Sequence, residues 1–277
     1  ALTINYDFSG SHTLRSDYGS QETDTSYLNL RNGLNIGPWR LRNYSTLNTS
    51  DGRAEYNSIS TWIQRDIAAL RSQIMIGDTW TASDIFDSTQ IRGARLYTDN
   101  DMLPASQNGF APVVRGIAKS NATVIIRQNG YVIYQSAVPQ GAFEITDLNT
   151  ASTGGDLDVT IKEEDGSEQR FTQPYASLAI LKREGQTDVD VSVGELRDED
   201  GFTPDVLQAQ ILHGFSHGIT LYGGMQAAEN YGSAALGVGK DLGALGAISF
   251  DVTHARANFS HDDTETGQSY RFLYSKR

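Results

Sequence analysis

Period-two alternation of apolar and polar residues is the feature that most constrains this chain. It recurs in about twelve segments of roughly ten residues each. In one of them Val189, Val191 and Val193 alternate with Asp190 and Ser192. Because successive side chains of a strand point to opposite faces, each segment predicts a β-strand with one apolar and one polar face. The chain is therefore expected to be all-β.

Two all-β architectures fit this alternation. In a soluble sandwich the apolar face points into a core, whereas in an outer-membrane barrel it points to lipid and the polar face lines a lumen. Long connections are predicted at 11–25, 48–54, 77–90 and 255–267, and they alternate roughly with tight ones such as 37–38. Transmembrane barrels sort their loops in this way. We therefore predict a transmembrane antiparallel β-barrel, present in part as about twelve strands.

Composition narrows the classes of function. The net charge of −12 argues against a nucleic-acid partner, because phosphate binding needs basic patches. The chain has no cysteine, which removes disulfides and cysteine-based zinc sites. It has no apolar run of about 18 residues, as a transmembrane helix would need. The first residues lack the basic start and apolar stretch of a signal peptide.

The segment from about Gly109 to Tyr175 departs from the alternation. Its continuous apolar runs, 124–126 and 131–134, are joined by Asn129-Gly130. Asn-Gly between apolar runs predicts a type I′ hairpin, since that turn needs φ > 0 at both central residues. Further short strands and turn residues follow. We predict a small β-sandwich in which this hairpin buries both faces of its strands.

The sandwich is expected between the sixth and seventh barrel strands, where the alternation of connections predicts a short turn. The predicted domains are therefore barrel strands one to six at 1–107, the sandwich at 108–176, and barrel strands seven to twelve at 177–277.

Catalytic and metal-binding patterns have little support. The five histidines are His12, His213, His217, His254 and His261. His213 and His217 are four residues apart, but they flank a turn and lack the glutamate of a metalloprotease motif. Gly237-x-Gly239 before Lys240 lacks the helix that a phosphate-binding loop requires, and the acidic run 198–200 lacks the spacing of a calcium loop. We expect no catalytic residue, no cofactor and no metal, and hence no enzyme.

Charged residues suggest one contact. Arg40, Arg42 and Arg71 are predicted on the polar face of their strands and are candidate lumen-facing residues. Acidic residues crowd a predicted hairpin turn of the sandwich: Glu163, Glu164, Asp165 and Glu168. This turn is either a solvated surface turn or an acidic tip that meets the arginines.

Ordered motifs along nearly the whole chain resemble the fimbrial ushers of the chaperone–usher pathway. The most specific are LNIGPWRLRNYSTLN, TWIQRDIAALRSQIMIGD, DIFDSTQIRGARLYTDNDMLP, VIIRQNGYVIYQSAVPQGAFEITDL and SLAILKREGQTDVDVSVGE. The resemblance implies a pore of the bacterial outer membrane, from a twenty-four-stranded barrel, that assembles and secretes pilus subunits delivered by a periplasmic chaperone. A passive porin or another outer-membrane transporter is the alternative, and a soluble multi-sandwich adhesin is a third interpretation.

The resemblance also implies gating by the sandwich, which would act as a plug. Its hinges are expected near Met102, Leu103, Pro104 and Gly109 and near Tyr175 and Leu181. The hairpin after strand five, with Asp84, Ile85, Phe86 and Asp87, would be a latch that helps to hold the plug, or else an ordinary extracellular loop. The expected partners are pilus subunits, chaperone–subunit complexes and outer-membrane lipid, with a homodimer left open and nucleic acid excluded.

Overall fold

The computed structural model is built almost entirely from β-strands, as the alternation predicts. It describes residues 1–15, 21–50, 52–104, 107–146, 148, 156–174, 178–197, 203–259 and 263–276. Within these ranges there is no α-helix, and short 3-10 turns lie at Ala68–Leu70, Asn100–Met102, Ser216–Gly218 and Gly243–Leu245. Across the described ranges, no helix has the length and apolar character needed to cross a membrane.

Twelve strands form one large sheet, and the neighbours in the sheet follow the order of the chain. Its first six strands are β1 Leu2–Arg15, β2 Gln21–Ile36, β3 Trp39–Ser50, β4 Arg53–Ile67, β5 Ser72–Trp80 and β6 Gln90–Thr98. The other six are β13 Thr187–Leu196, β14 Asp205–Phe215, β15 Ile219–Ala228, β16 Tyr231–Asp241, β17 Ala247–Phe259 and β18 Asp263–Ser275. The predicted strand number is therefore confirmed.

The large sheet exposes its apolar face and buries its polar face. Ile211 and Leu221 are 51% and 49% exposed, whereas their strand neighbours Gln210 and Thr220 are 5% and 0% exposed. Further polar residues of the buried face are Asp188, Asp190, Gln208, Ser233, Ser249 and Asp251. A soluble sandwich would bury the apolar side instead, so the soluble-sandwich interpretation is wrong for this sheet. This is the arrangement of a transmembrane β-sheet, whose apolar side faces lipid.

Several predicted long connections are wrong, because the strands run further than their apolar alternation. The ladder between β1 and β2 continues to the Arg15–Gln21 pair, so residues 11–25 are mostly strand. Ser50 likewise pairs with Arg53, and Phe259 with Asp263. Backbone hydrogen bonds and β-branched Thr residues carry these extensions, and neither needs an apolar side chain. The connection 81–89 is long, as predicted.

The residues between β6 and β13 contain two small sheets. One pairs β7 Val114–Ala118 with β10 Gly141–Ile145. The other has the order β12–β11–β8–β9 and contains β8 Ala122–Gln128, β9 Tyr131–Val138, β11 Leu157–Glu163 and β12 Glu168–Gln173. In the turn between β8 and β9, Asn129 and Gly130 have φ of 52° and 84°. Both values are positive, which confirms the predicted hairpin.

The hairpin buries one face and not two. On β8, Ala122, Val124 and Ile126 are buried, and the residues between them are half-buried. β9 is an edge strand of its sheet, and its Tyr131 and Val132 are exposed. The prediction of two buried faces is wrong, because the apolar cluster covers only the face that carries Ala122, Val124 and Ile126. The continuous apolar runs therefore do not mean burial on both faces.

The chain forms two compact units. The first contains Ala1–Thr81, Ser88–Tyr97 and Val191–Val206. The second contains Ala82–Asp87, Thr98–Asp190 and Leu207–Arg277, and therefore holds the sandwich, the tip of the 81–89 loop and strands β14–β18. One buried apolar cluster in the second unit joins sandwich residues such as Val114 and Leu157 with Phe86, Leu181 and Leu212.

Candidate functional site

The sandwich is joined to the large sheet by two connections, both in the second unit. The first connection, residues 99–113, leads from β6 to β7, and the second connection, residues 174–186, leads from β12 to β13. Any movement of the sandwich relative to its sheet has to be absorbed there. These connections and the loop 82–87 form the candidate site.

The first connection contains four of the six predicted hinge residues. Met102 ends a 3-10 turn that begins after Asp99, and the Leu103 N–H donates to Asn100 O at 3.0 Å. Pro104 is exposed, and its carbonyl accepts the Gln107 N–H at 2.8 Å and the Asn108 N–H at 3.2 Å. Gly109 has φ of 72°, a conformation that a side chain disfavours. The segment is thus a series of tight turns, and its role as a hinge stays a prediction.

Arg183 ties the two connections and the sandwich together. From the second connection its guanidinium donates to the carbonyls of Gly109 at 2.7 Å and Asn108 at 3.4 Å in the first connection. It also donates to Thr146 O at 2.9 Å and Leu148 O at 2.5 Å, in the segment that follows β10. A planar guanidinium has five N–H donors in a rigid fork, so one side chain can serve several carbonyls. We call this group of contacts the Arg183 clasp.

The second connection is held against β14 by backbone pairing. The Gly185 N–H donates to Gly214 O at 2.8 Å, and the Gly214 N–H donates to Gln186 O at 2.9 Å. A Cβ at Gly214 would collide with the carbonyls of Lys182 and Arg183, so this close approach requires glycine. The clasp therefore projects from a backbone that is fixed to the large sheet.

Apolar packing holds the middle of the second connection. Ile180 and Leu181 are buried, and a Cβ at Gly239 of β16 would lie 2.8 Å from Leu181 Cδ2 and 3.5 Å from Ile180 Cγ2. A Cβ at Gly237 would likewise collide with the Tyr222 ring. The Gly237-x-Gly239 pattern thus leaves room for packing, in agreement with small residues on the inner face of a strand. Leu181 itself, a predicted hinge, is a packed anchor.

A partly buried ion pair continues the contact between the connections. Lys182 Nζ lies 2.7 Å from Asp188 Oδ2, with side chains 15% and 12% exposed. The same Asp188 oxygen accepts from Asn100 Nδ2 at 2.8 Å, and Gln186 Nε2 donates to Asn100 Oδ1 at 3.1 Å. The first residue of the first connection's 3-10 turn is therefore bonded to Gln186, at the end of the second connection, and to Asp188 of β13. A partly buried pair of this kind is costly to break, because either partner alone leaves an uncompensated charge.

The loop 82–87, which contains the predicted latch, is bonded to the polar face of the later strands. Gln208 Nε2 donates to Ala82 O at 2.8 Å, and Gln210 Nε2 donates to Asp84 Oδ2 at 2.6 Å. Ile85 and Phe86 are buried, whereas Asp84 and Asp87 are exposed. A Cβ at Gly224 of β15 would lie 2.8 Å from the Phe86 ring, so glycine makes room for this ring. The role of the loop 82–87 as a latch for the sandwich stays a prediction.

The acidic turn of the sandwich is not a uniformly exposed tip. Glu163 is 4% exposed, and its carboxylate accepts from Lys119 N at 3.0 Å, Ser120 Oγ at 2.7 Å, Ser120 N at 2.9 Å and Gln169 Nε2 at 2.7 Å. These hydrogen bonds, led by that of the Lys119 N–H, lower the pKa of Glu163 to about 2. Glu163 is therefore an internal anchor, while Glu164 is exposed.

The remaining acidic residues of this turn bond locally. Asp165 accepts the Ser167 N–H at 2.9 Å, and Glu168 pairs with Arg170 at 2.5 Å. The interpretation of a solvated turn fits these exposed residues better than it fits Glu163.

The three candidate lumen-facing arginines differ from one another. Arg40 Nη1 donates to Asp66 Oδ2 at 2.5 Å, and Arg42 Nη1 donates to Asn35 Oδ1 at 2.8 Å. Arg71 does not lie in a strand, because it has φ of 47° and closes the Ala68–Leu70 turn. Its assignment to the polar face of a strand is wrong, since the turn includes Leu70 and Arg71, which the alternation assigned to a strand.

The other candidate residues can be placed briefly. Tyr175, His261 and the acidic run 198–200 lie outside the described residues. His213 Nδ1 lies 2.6 Å from Thr187 Oγ1, and His217 has φ of 63° in its turn. Among the described residues, no three His, Asp or Glu side chains are grouped to hold a metal ion.

Arg183 is not among the residues that the sequence predicts for this site. Its signal is the pair of cations Lys182-Arg183 directly after the buried Ile180-Leu181 and before Gly185. Lys and Arg next to buried apolar residues pack their stems on that apolar surface and keep their charged groups in polar surroundings. The four carbonyls that accept from Arg183, however, come from segments separated from it by 35–75 positions, and no local pattern shows them.

A sheet with an exposed apolar face and a buried polar face, interrupted at one strand connection by a sandwich, defines an outer-membrane β-protein with an inserted domain. The comparisons with known proteins identify which one. The profile of the usher family, described as outer membrane usher protein, matches residues 27–277. The chain belongs to the outer membrane usher family, and it is a protein of the bacterial outer membrane.

Similar proteins cover the whole chain. The outer membrane usher protein LpfC of Salmonella typhimurium strain LT2 is 50% identical over 281 residues, which cover 100% of this chain and 33% of LpfC. FimD of Escherichia coli strain K12 is 47% identical over 281 residues, which cover 99% of this chain and 32% of FimD. The chain thus spans about a third of the length of these curated relatives.

Solved usher structures have the same fold. The PapC translocation pore of the P pilus usher matches with a TM-score of 0.57 at 32% identity, covering 100% of this chain and 58% of that one. An E. coli P pilus tip assembly intermediate, PapC-PapD-PapK-PapG, matches with a TM-score of 0.72 at 32% identity, covering 100% of this chain and 35% of that one.

Proposed function

We propose that this chain forms part of an outer-membrane pore that assembles and secretes pilus subunits delivered by a periplasmic chaperone. The observation that carries the proposal is the inverted large sheet with a folded sandwich inserted between β6 and β13. The apolar face contacts lipid, and the polar face offers a translocating protein little apolar surface to adhere to. Membership of the usher family and the likeness to an assembly intermediate support the choice of cargo.

In this proposal the sandwich is a plug that closes the pore, and its two connections are hinges. The Arg183 clasp supports this role, because it joins a segment paired to β14 with carbonyls of the sandwich. The loop 82–87 acts as a latch on the same unit through Phe86 and Asp84. The protein is non-enzymatic, and the homodimer stays a prediction without a contact to support it.

The plug role is tested by conductance across a planar bilayer. The purified protein is compared with a variant in which residues 110–177 are replaced by a short Gly-Ser linker. A plug predicts a large, sustained rise in conductance for the deletion. Equal conductance in the two proteins would reject gating by the sandwich. Heat-modifiable migration on a gel shows that both proteins retain their barrel.

Pilus assembly is tested in cells. Deletion of the gene is expected to abolish surface fibres, and restoring the gene is expected to return them. If fibres persist in the deletion strain, the protein is a passive porin or another transporter.

A further inference from the structure

A pocket on the polar face of β1–β4 is not used by the proposed function. It has a volume of ≈ 470 Å³ and lies on the opposite face from the exposed Leu41. By register, Arg42 lies opposite Gly33 on β2 and Trp62 on β4. In the adjacent row, Arg31 on β2 lies opposite Tyr44 on β3. Two arginines and two aromatic residues from neighbouring strands therefore line one concave site.

The two arginines of this pocket have no carboxylate partner in the described part of the chain. Arg42 Nη1 donates to Asn35 Oδ1 and to Leu41 O, both at 2.8 Å. Arg31 lies over the Tyr44 ring, 5.3 Å from its centroid. No carboxylate lines the pocket, and Asp7, the acidic residue nearest to Arg31 along the β1–β2 ladder, forms no ion pair with either arginine.

Three other arginines of the same unit are neutralised by carboxylates. Arg40 pairs with Asp66 at 2.5 Å, and both Arg92 and Arg197 pair with Asp78, at 2.8 and 3.4 Å. In a chain with a net charge of −12, this concave site brings together two guanidiniums without a carboxylate partner among the described residues. Such a site attracts an anion, because guanidiniums bind phosphate and carboxylate through paired N–H donors.

Neighbouring residues keep the pocket open and orient its walls. A Cβ at Gly33 would lie 3.2 Å from Arg42 Nη1, so the absence of a side chain lets the guanidinium lie across β2. Stacking on Tyr44 holds Arg31 in place. Trp62 Nε1 donates to Gln64 Oε1 at 2.7 Å, which fixes the orientation of the indole ring. The Trp62 indole ring and the guanidiniums of Arg31 and Arg42 together suit a ligand with one apolar face and one anionic group.

We propose that this pocket binds a small sugar that carries a phosphate or carboxylate group. Arg31 and Arg42 hold the anionic group, and the sugar ring packs against Trp62. The volume suits such a ligand, since small-molecule sites begin at about 300 Å³. The ligand is free in solution, because the pocket opens on the polar face and not on the apolar one. The inference does not depend on gating, since the residues that line the pocket all belong to β1–β4 of the first unit.

Isothermal titration calorimetry on the detergent-purified protein tests the proposal. Glucose 6-phosphate is the probe, and glucose and inorganic phosphate separate the contributions of ring and anion. Arg31→Gln and Arg42→Gln are each expected to weaken binding by about tenfold or more, since a hydrogen bond to a charged group contributes about 1.5–3 kcal/mol. Trp62→Leu should weaken glucose 6-phosphate binding and leave inorganic phosphate unchanged.

Arg95→Gln is the matched control. Arg95 also lies over a tyrosine ring, 4.5 Å from the centroid of Tyr97, but it does not line the pocket. The proposal is supported if Arg31→Gln and Arg42→Gln weaken glucose 6-phosphate binding and Arg95→Gln leaves it intact. No binding of glucose 6-phosphate to the wild-type protein, or an equal loss in all three arginine variants, would overturn it. Heat-modifiable gel migration confirms that each variant is folded.

Discussion

Replacing Arg183 is expected to release the sandwich from its closed position. The guanidinium makes three hydrogen bonds of 2.5–2.9 Å and one of 3.4 Å to main-chain carbonyls. A hydrogen bond to a charged group contributes about 1.5–3 kcal/mol, but bonds from one half-buried side chain are not additive. We therefore expect Arg183→Gln to weaken the clasp by about 2–4 kcal/mol in total. If release of the plug breaks these bonds, the closed–open equilibrium shifts by roughly 30- to 900-fold.

Single-channel recording in planar bilayers measures this shift as the fraction of time spent in the open state. Arg183→Lys keeps the charge but has a single ammonium in place of the fork, so it should open to an intermediate extent. Arg115→Gln is the control, because it removes an exposed ion pair with Glu144 inside the sandwich and should leave gating unchanged. Open fractions that are equal in wild type and Arg183→Gln would refute the role of the clasp. This prediction rests on the proposed gating function.

Three further predictions concern stability and packing. Because the folded pKa of Glu163 is about 2 and its ordinary value is 4.5, its carboxylate stabilises the sandwich above about pH 4.5, and this contribution is lost as pH falls towards 2. The difference in Tm between wild type and Glu163→Gln should shrink over that range, whereas Glu164→Gln should match wild type throughout. Gly130→Ala should lower the free energy of unfolding by about 1–2 kcal/mol, measured by chemical denaturation. The cost comes from φ of 84° alone, since nothing lies within 4 Å of the added Cβ, and an unchanged denaturation midpoint would contradict this. Gly239→Val should lower the free energy of unfolding by about 1–3 kcal/mol, because the valine side chain would collide with Leu181. The same variant should raise the open fraction of the channel. An unchanged open fraction would show that this packing does not hold the second connection.

The fold of this chain is largely predictable because its strongest signals are local. A strand such as β13 shows its two faces in its own alternation, and Asn129-Gly130 specifies its turn through backbone conformation alone. The ends of strands are harder to predict. Ser50 and Arg53 pair through backbone groups, which every residue except proline possesses, so side-chain pattern does not show where a ladder stops.

The candidate site is less predictable because its contacts are long-range. The acidic turn suggested exposed charge, yet Glu163 turns inward to accept hydrogen bonds from Ser120, which lies 43 positions earlier. Arg183 likewise binds carbonyls, which every residue carries and which leave no trace in composition. Burial of a charged side chain depends on which segments the fold brings together, and a single sequence does not contain that information.

The insertion between β6 and β13 also bears on how the chain reaches its folded state. The two strands are sheet neighbours, yet residues 99–186 separate them, so an unstructured insertion would impose a large entropy of loop closure on their pairing. Once the sandwich is folded, that separation becomes short, because Arg183 at one end binds Gly109 at the other. A sandwich that folds before β13 pairs would therefore act as a pre-formed turn, and the two halves of the sheet would assemble as if they were adjacent in the chain.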